Sequence, residues 1–282
     1  PPGRLGHFDG RLTAHLDGLR FAGESGRDMC EAALEAPSRG ALFALGVRAL
    51  EDRDEAGLTR LFGLAQALPA AATGLLSAFG WVERSELQGT VSRLLRDREG
   101  FSRMMGVAAC ALHGVDPGIG AGRFLDDADP LVRARAFRAA GELGAANLLR
   151  SGAAGAADPD EDCRFWAAWS AVLMGNRGAA LNALVKNGFQ PGPHRERAFR
   201  LALQAMTTKA AHAALQRLAA NSTNVRWVIQ GSGIAGDPAY VPWLVKQMDD
   251  PKQARIAAEA FTFISGVDLG AAGLDRPAPP GI

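Results

Sequence analysis

One tyrosine, three cysteines, a formal charge of only +1 and no long uninterrupted apolar run set the first bounds on this 282-residue chain. Cys30, Cys110 and Cys163 are odd in number and show no CxxC spacing, which excludes a disulfide framework and fits a reducing cytosol. Near-neutrality removes any global drive toward nucleic acid or anionic lipid. No apolar stretch approaches the length a membrane span requires. The first residues carry no signal-peptide pattern, so the expected location is the cytoplasm and no membrane partner is expected. Period-2 alternation is scarce, which argues against sheet. What the chain has instead is Ala, Leu and Arg, residues that favour helix.

An arginine returns at Arg133, Arg164, Arg195 and Arg226, each 31 residues after the last, and Arg103 and Arg255 extend the series at spacings of 30 and 29. Eleven residues beyond these arginines stand Gly114, Gly144, Gly175 and Gly266; Gly236 comes one position early, and Met206 is the exception. Glycine there reads as the left-handed residue that ends a helix. Asp-Pro pairs at 116–117, 129–130, 158–159, 237–238 and 250–251 read as helix starts, with Asp as N-cap and Pro in the first turn. Counted from each arginine, position +3 holds Ala136, Ala167, Ala198, Ile229 and Ala258, and positions +6 and +7 are again mostly small. Small residues on one face let neighbouring helices approach closely. Each unit therefore reads as helix, turn, second helix, and the second helices supply larger apolar residues such as Leu181, Leu184, Leu215 and Leu244.

Self-similarity at this period marks a helical repeat array. The pattern Asp-Pro-x-Val-Arg-x-x-Ala…Leu-Gly at 129–144 resembles the HEAT repeat in a short form. The expected fold is all-α, a right-handed α-solenoid of about eight HEAT-like helical hairpins of about 31 residues each. Residues 1–35 are expected to form N-terminal capping helices, 36–269 the repeat array, and 270–282 a Gly/Pro-rich tail. In HEAT arrays the equivalent arginine pairs with acidic residues between repeats. Arg103, Arg133, Arg164, Arg195, Arg226 and Arg255 are accordingly expected to form a structural ladder, their planar donors suiting carboxylates and carbonyls at repeat junctions. Acidic candidates stand at 126–129, 158–162 and 249–250.

Longer strings carry a further resemblance: "AHLDGLRFAGE" (14–24), "ALHGVDPG" (111–118), "CRFWAAWSAVLMGNRGAAL" (163–181), "GDPAYVPWL" (236–244) and "EAFTFISGVDL" (259–269). Together they resemble an uncharacterised proteobacterial family of short HEAT-like repeat proteins whose genes often lie in type VI secretion clusters. The resemblance implies a protein partner among secretion spike, adaptor or effector components, and it brings no catalytic residues. Members usually run on past the "GVDL" string, and a chain beginning Pro-Pro is expected to have lost its native N-terminus.

Chemistry is sparse. No His-Glu dipeptide occurs, and His7, His15, His113, His194 and His212 are scattered, so neither metal nor cofactor is expected. Cys110 and Cys163 fall at packing positions without a neighbouring base. "GVDPGIGAG" (114–122) is Gly-rich but sits at a repeat turn with no preceding strand. Some HEAT-like solenoids are DNA glycosylases, and that is the alternative reading. The second helices, however, offer only Arg150, Lys186, Arg217 and Lys246, too few to track phosphates, so nucleic acid is not the expected partner. The expected function is a non-enzymatic protein-binding scaffold.

One break in the repeat suggests where a partner docks. Positions +2, +5 and +9 should face away from the small-residue stripe. In one repeat they are Arg135, Arg138 and Glu142; two repeats on they are Arg197, Arg200 and Gln204; between them they are Trp166, Trp169 and Leu173. Trp and Arg are enriched in binding hot spots, so Arg135, Arg138, Trp166, Trp169, Arg197 and Arg200 form the candidate partner site. The competing reading is that a terminal segment or adjoining helix covers the tryptophans.

Overall fold

The computed structural model describes residues 2–119, 122–145 and 153–274, and among them every regular element is a helix. Contacts divide the chain into two compact units, Pro1–Ser151 and Gly152–Ile282, a boundary inside the segment read as one array. The first unit contains α1 (Pro2–Phe21), α2 (Gly23–Ala32), α3 (Arg39–Glu51), α4 (Glu55–Ala67), α5 (Pro69–Trp81), α6 (Thr90–Leu94), α7 (Gly100–Leu112) and α8 (Pro130–Glu142). The second contains α9 (Ala153–Ala156), α10 (Glu161–Leu173), α11 (Ala179–Phe189), α12 (Arg195–Ala205), α13 (Thr208–Ala219), α14 (Val225–Ala235), α15 (Val241–Gln247) and α16 (Ala254–Ser265). No helix among the described residues is long and apolar enough to cross a membrane. Helices α1 and α2 occupy the segment read as an N-terminal cap, while residues 275–282 of the expected tail lie outside the described residues.

In the first unit α3 packs on α5, and Leu42, Leu50, Leu61, Leu75 and Phe79 form the centre of the core. Ser38 and Asp54 cap α3 and α4 by accepting from the amides of Ala41 and Gly57. In the second unit α12, α14 and α16 pack in succession, with α11 against α12 and α15 against α16. The small-residue stripe is where the repeat places it: Ala136, Ala139 and Ala140 in α8, Ala167, Ser170 and Ala171 in α10, Ala198 and Ala202 in α12, and Ile229 and Ser232 in α14 are all buried. In α16 the stripe slips by one, and Ala257 is buried in place of Ala258. Close approach depends on it. A methyl group at Gly188 of α11 would stand 2.6 Å from the Phe199 amide of α12.

Helix ends follow the glycines and only partly the Asp-Pro pairs. Gly114, Gly144, Gly175, Gly236 and Gly266 all have positive φ, between 66° and 95°, whereas the exception, Met206, ends α12 in extended backbone. Asp129 caps α8 through the Leu131 amide, with Pro130 in the first turn. Asp237 starts only a short 3₁₀ turn at Pro238–Tyr240. At 158–159 and 250–251 the helix begins later than expected. Asp158 and Asp250 close a turn instead, accepting from the Asp160 and Lys252 amides two residues on.

Arg103, Arg133 and Arg164 share one geometry. Each sits in the fourth position of its helix and turns back, its Nη1 donating to the carbonyls six and five residues earlier: Asp97 and Arg98, Asp127 and Ala128, Asp158 and Pro159. These carbonyls precede the helix and have no place in its ladder. Asp97, Asp127 and Asp158 stand at the same position of the loop, each accepting from the amide two residues on. Arg103 also forks Asp127, with Nε and Nη2 at 2.9 and 2.7 Å from its two oxygens. Asp127 thus joins two repeats, by its carboxylate to Arg103 and its carbonyl to Arg133.

The second unit ends this pattern after Arg164. Helix starts at Glu161 and Arg195 are 34 residues apart, whereas the arginines keep their 31-residue interval. The buried stripe stays in phase, so α12 has lost its first turn. Arg195, Arg226 and Arg255 therefore stand at or next to a helix start, where the same backward reach is not made. Arg195 lies over the Trp227 ring at 4.1 Å, and Arg226 and Arg255 are exposed.

The hydrogen bonds from Arg103 hold the Asp127 carboxyl below its usual range, against the opposing effect of burial. A depressed carboxyl contributes stability in full above the unfolded pKa, about 3.9, and loses it as pH falls through the lower folded value. Arg103→Ala should lower stability in urea unfolding at neutral pH by about 1–3 kcal/mol. Arg255→Ala should stay within about 0.5 kcal/mol of the parent. The gap between the parent and Asp127→Asn should hold from pH 7 to about pH 4 and close below it. Equal losses for Arg103→Ala and Arg255→Ala would reject the fork as the stabilising element.

Candidate docking face of the second unit

Helix α10 carries Trp166 and Trp169 three residues apart, so they project together. Their rings meet edge to face with centroids 5.4 Å apart. Beneath them Phe165 is buried, edge-on to Trp166 at 5.1 Å and stacked flat on His194 at 3.9 Å. The His194 ring is held by Asp162, with Nε2 and Oδ1 2.7 Å apart. Arg197, exposed on α12, brings its guanidinium carbon to 5.2 Å from the Trp166 ring centre. Both tryptophans are half-buried: the inner edges pack on the core that contains Phe165, Val172 and Leu184, and the outer edges reach solvent. Leu173, one turn beyond Trp169, is 43% exposed.

Beyond α12 the same face opens into a groove of about 560 Å³ among α12, α14 and α16. Phe199 and Trp227 form its inner wall, their rings edge to face at 5.1 Å. Arg200 and Gln204 line it from α12, Gln230 and Ile234 from α14, and Glu259 and Phe263 from α16. Phe263 is 74% exposed, an aromatic ring left at the mouth of a groove of mixed polar and apolar lining. The helices are drawn together at Gly233, where a methyl group would meet the Cα and Cβ of Ala260 at 3.0 Å.

The six residues assigned to a partner site are thus divided. Trp166, Trp169, Arg197 and Arg200 lie on adjacent helices of the second unit, Arg200 in the groove and Arg197 over Trp166. Arg135 and Arg138 belong to the first unit, where each holds one oxygen of Glu142, Oε2 at 2.9 Å and Oε1 at 2.8 Å. For Arg135 the expectation of a solvated face is corrected: it is 9% exposed, with one nitrogen 3.4 Å from the Ala108 carbonyl of α7. Burial pulls its pKa down, with Glu142 acting the other way. Position +2 points toward the preceding helix there, where the guanidinium reaches the Ala108 carbonyl. The groove itself was missed. Its walls come mainly from positions +1, +4 and +8, with Arg200 and Gln204 added at +5 and +9, and mix Phe199, Trp227 and Ile234 with Gln230 and Glu259; the legible trace was an aromatic at Phe263 where a polar residue would be solvated.

Two further histidines make hydrogen bonds. His113 Nε2 meets the Phe79 carbonyl at 2.7 Å, and His212 meets the Tyr240 hydroxyl at 2.9 Å. All three cysteines are buried and free, and burial raises the Cys30 and Cys110 thiols. Among the described residues no three His, Cys, Asp or Glu side chains gather to hold a metal ion. No family model matches the chain, and no curated protein matches it.

Gly233 sets the width of the groove. Gly233→Val should cost about 1–3 kcal/mol in urea unfolding through overpacking against Ala260. An unchanged midpoint would mean that α14 and α16 are not held at this contact.

Proposed function

We propose that the chain is a non-enzymatic protein-binding scaffold, a right-handed α-solenoid of about eight short HEAT-like repeats. The first-helix face of the second unit carries the reading. There a half-exposed tryptophan pair, two arginines, and a groove with Phe263 at its mouth stand together. Aromatic and arginine side chains beside a partly apolar groove are the composition of a docking hot spot. The resemblance to HEAT-like proteins encoded beside type VI secretion genes supplies the candidate partners: a spike, an adaptor or an effector, handled in the cytoplasm. No catalytic residues, metal or cofactor enter this reading.

Exposed positions test the face without disturbing the core. The triple variant Leu173→Ser, Arg200→Glu, Phe263→Ser should retain the helical circular dichroism and unfolding midpoint of the parent. It should lose at least about tenfold in affinity for the partner identified by cross-linking from native lysate. A folded triple variant that binds the same partner as well as the parent rejects this face as the docking site.

A further inference from the structure

The second helices of the second unit build a different groove, also about 560 Å³, between α11 and α13. Its floor is apolar, made by Val185 and Phe189 from α11 and Ala214 and Leu218 from α13. Its charges are of one sign. Lys186 and Arg217 line it, both exposed, and the polar residues that join them, Asn182, Gln190 and Asn224, are amides. The helices themselves contain no aspartate or glutamate: α11 carries Lys186, and α13 carries Lys209 and Arg217. The next second helix, α15, adds Lys246 and again no acid. The first-helix groove differs, since Glu196 and Glu259 both line it. In a chain whose charges balance to +1, this segregation sets the second-helix groove apart from its surroundings.

We infer that the α11–α13 groove receives an acidic amphipathic helix from a partner protein. The inference rests on the scaffold reading in that its ligand is a protein segment, but the surface is a separate one. Helices of 11 and 12 residues line a channel that suits about three turns of a bound helix. Its apolar edge would lie on Val185, Phe189 and Leu218, and its carboxylates would meet Lys186 and Arg217 at the rim. A basic helix would bring cations against these two with no carboxylate in the lining to receive them, and like charge across an interface disfavours the wrong partner. Nucleic acid is the poorer fit: few cations, dispersed over separate helices, do not track a phosphate backbone.

The test uses the full chain and three fluorescein-labelled synthetic helical peptides. They share one Leu/Phe face and carry Glu, Gln or Lys at every other position. In fluorescence polarisation at low salt the Glu peptide should bind about tenfold tighter than the Gln peptide, and the Lys peptide weakest. The double variant Lys186→Glu, Arg217→Glu should reverse that order, and Lys186→Gln, Arg217→Gln should abolish it should the reversal prove unstable. Phe263→Ser on the first-helix face should leave Glu-peptide binding unchanged. No binding of the Glu peptide, equal affinity for Glu and Gln peptides, or a preference that survives both double variants would overturn the inference. So would duplex DNA that displaces the Glu peptide more effectively than unlabelled Glu peptide does, since the groove would then belong to nucleic acid. Partner capture lost at the first-helix face while the Glu preference persists separates the two surfaces, as does the converse.

Discussion

Helices of eleven to thirteen residues are marginal in water when isolated, because nucleating a helix costs more than a short ladder returns. Here the first helices of the repeats, α7, α8, α10, α12, α14 and α16, are all of that length, so each depends on burying one face against its neighbours. The stripe of Ala, Ser and Gly makes that burial possible at close range. It lets backbones approach until an added methyl group would collide, as at Gly233, and as where Gly188 of α11 meets Ala198 and Phe199 of α12. Close packing fixes the spacing of successive helices, and the larger side chains that fall outside the stripe, Trp166, Trp169, Trp227 and Phe263, are left to define the surface.

The loops obey a second rule, which holds in part of the chain. A loop entering a helix carries carbonyls that the helix cannot satisfy, and an arginine in the fourth position can return to collect two of them. Asp127 turns the same device into a link between repeats, with both members of the Arg103 fork largely buried. Charge and fold are coupled here because neither partner is left to water. Where α12 loses its first turn the geometry lapses, and Arg195 becomes a lid on Trp227 instead.

Much of the helical architecture was legible in the sequence because it is written in residues with few alternatives. Five glycines with left-handed backbone ended five helices, and the phase of the small-residue stripe survived from Ala136 to Ser232. Helix starts were less legible. Asp-Pro satisfies an N-cap, but it also closes a turn two residues earlier, and the local pattern is identical at 129–130 and 158–159. At the surface the tryptophan pair stood out as a departure from a polar period, whereas Arg135 misled. Its position was polar in sequence, yet its guanidinium reached the Ala108 carbonyl and Glu142 from inside the helix packing. Periodicity reports which face a residue occupies and not how far the next helix stands from it. The groove around Phe199 and Trp227 could not be read for the same reason, since it exists only in the gap between helices.

The distribution of tryptophan has an optical consequence. Trp166, Trp169, Trp227 and Trp243 all lie in the second unit, and only Trp81 lies in the first. Indole emission from the whole chain is therefore weighted toward the second unit, while backbone ellipticity counts both. A melt followed simultaneously at both wavelengths becomes a built-in comparison of the halves. If they unfold independently the two traces separate, with the fluorescence following the half that carries both proposed docking surfaces. The aromatic residues that mark the surface are also its internal dye.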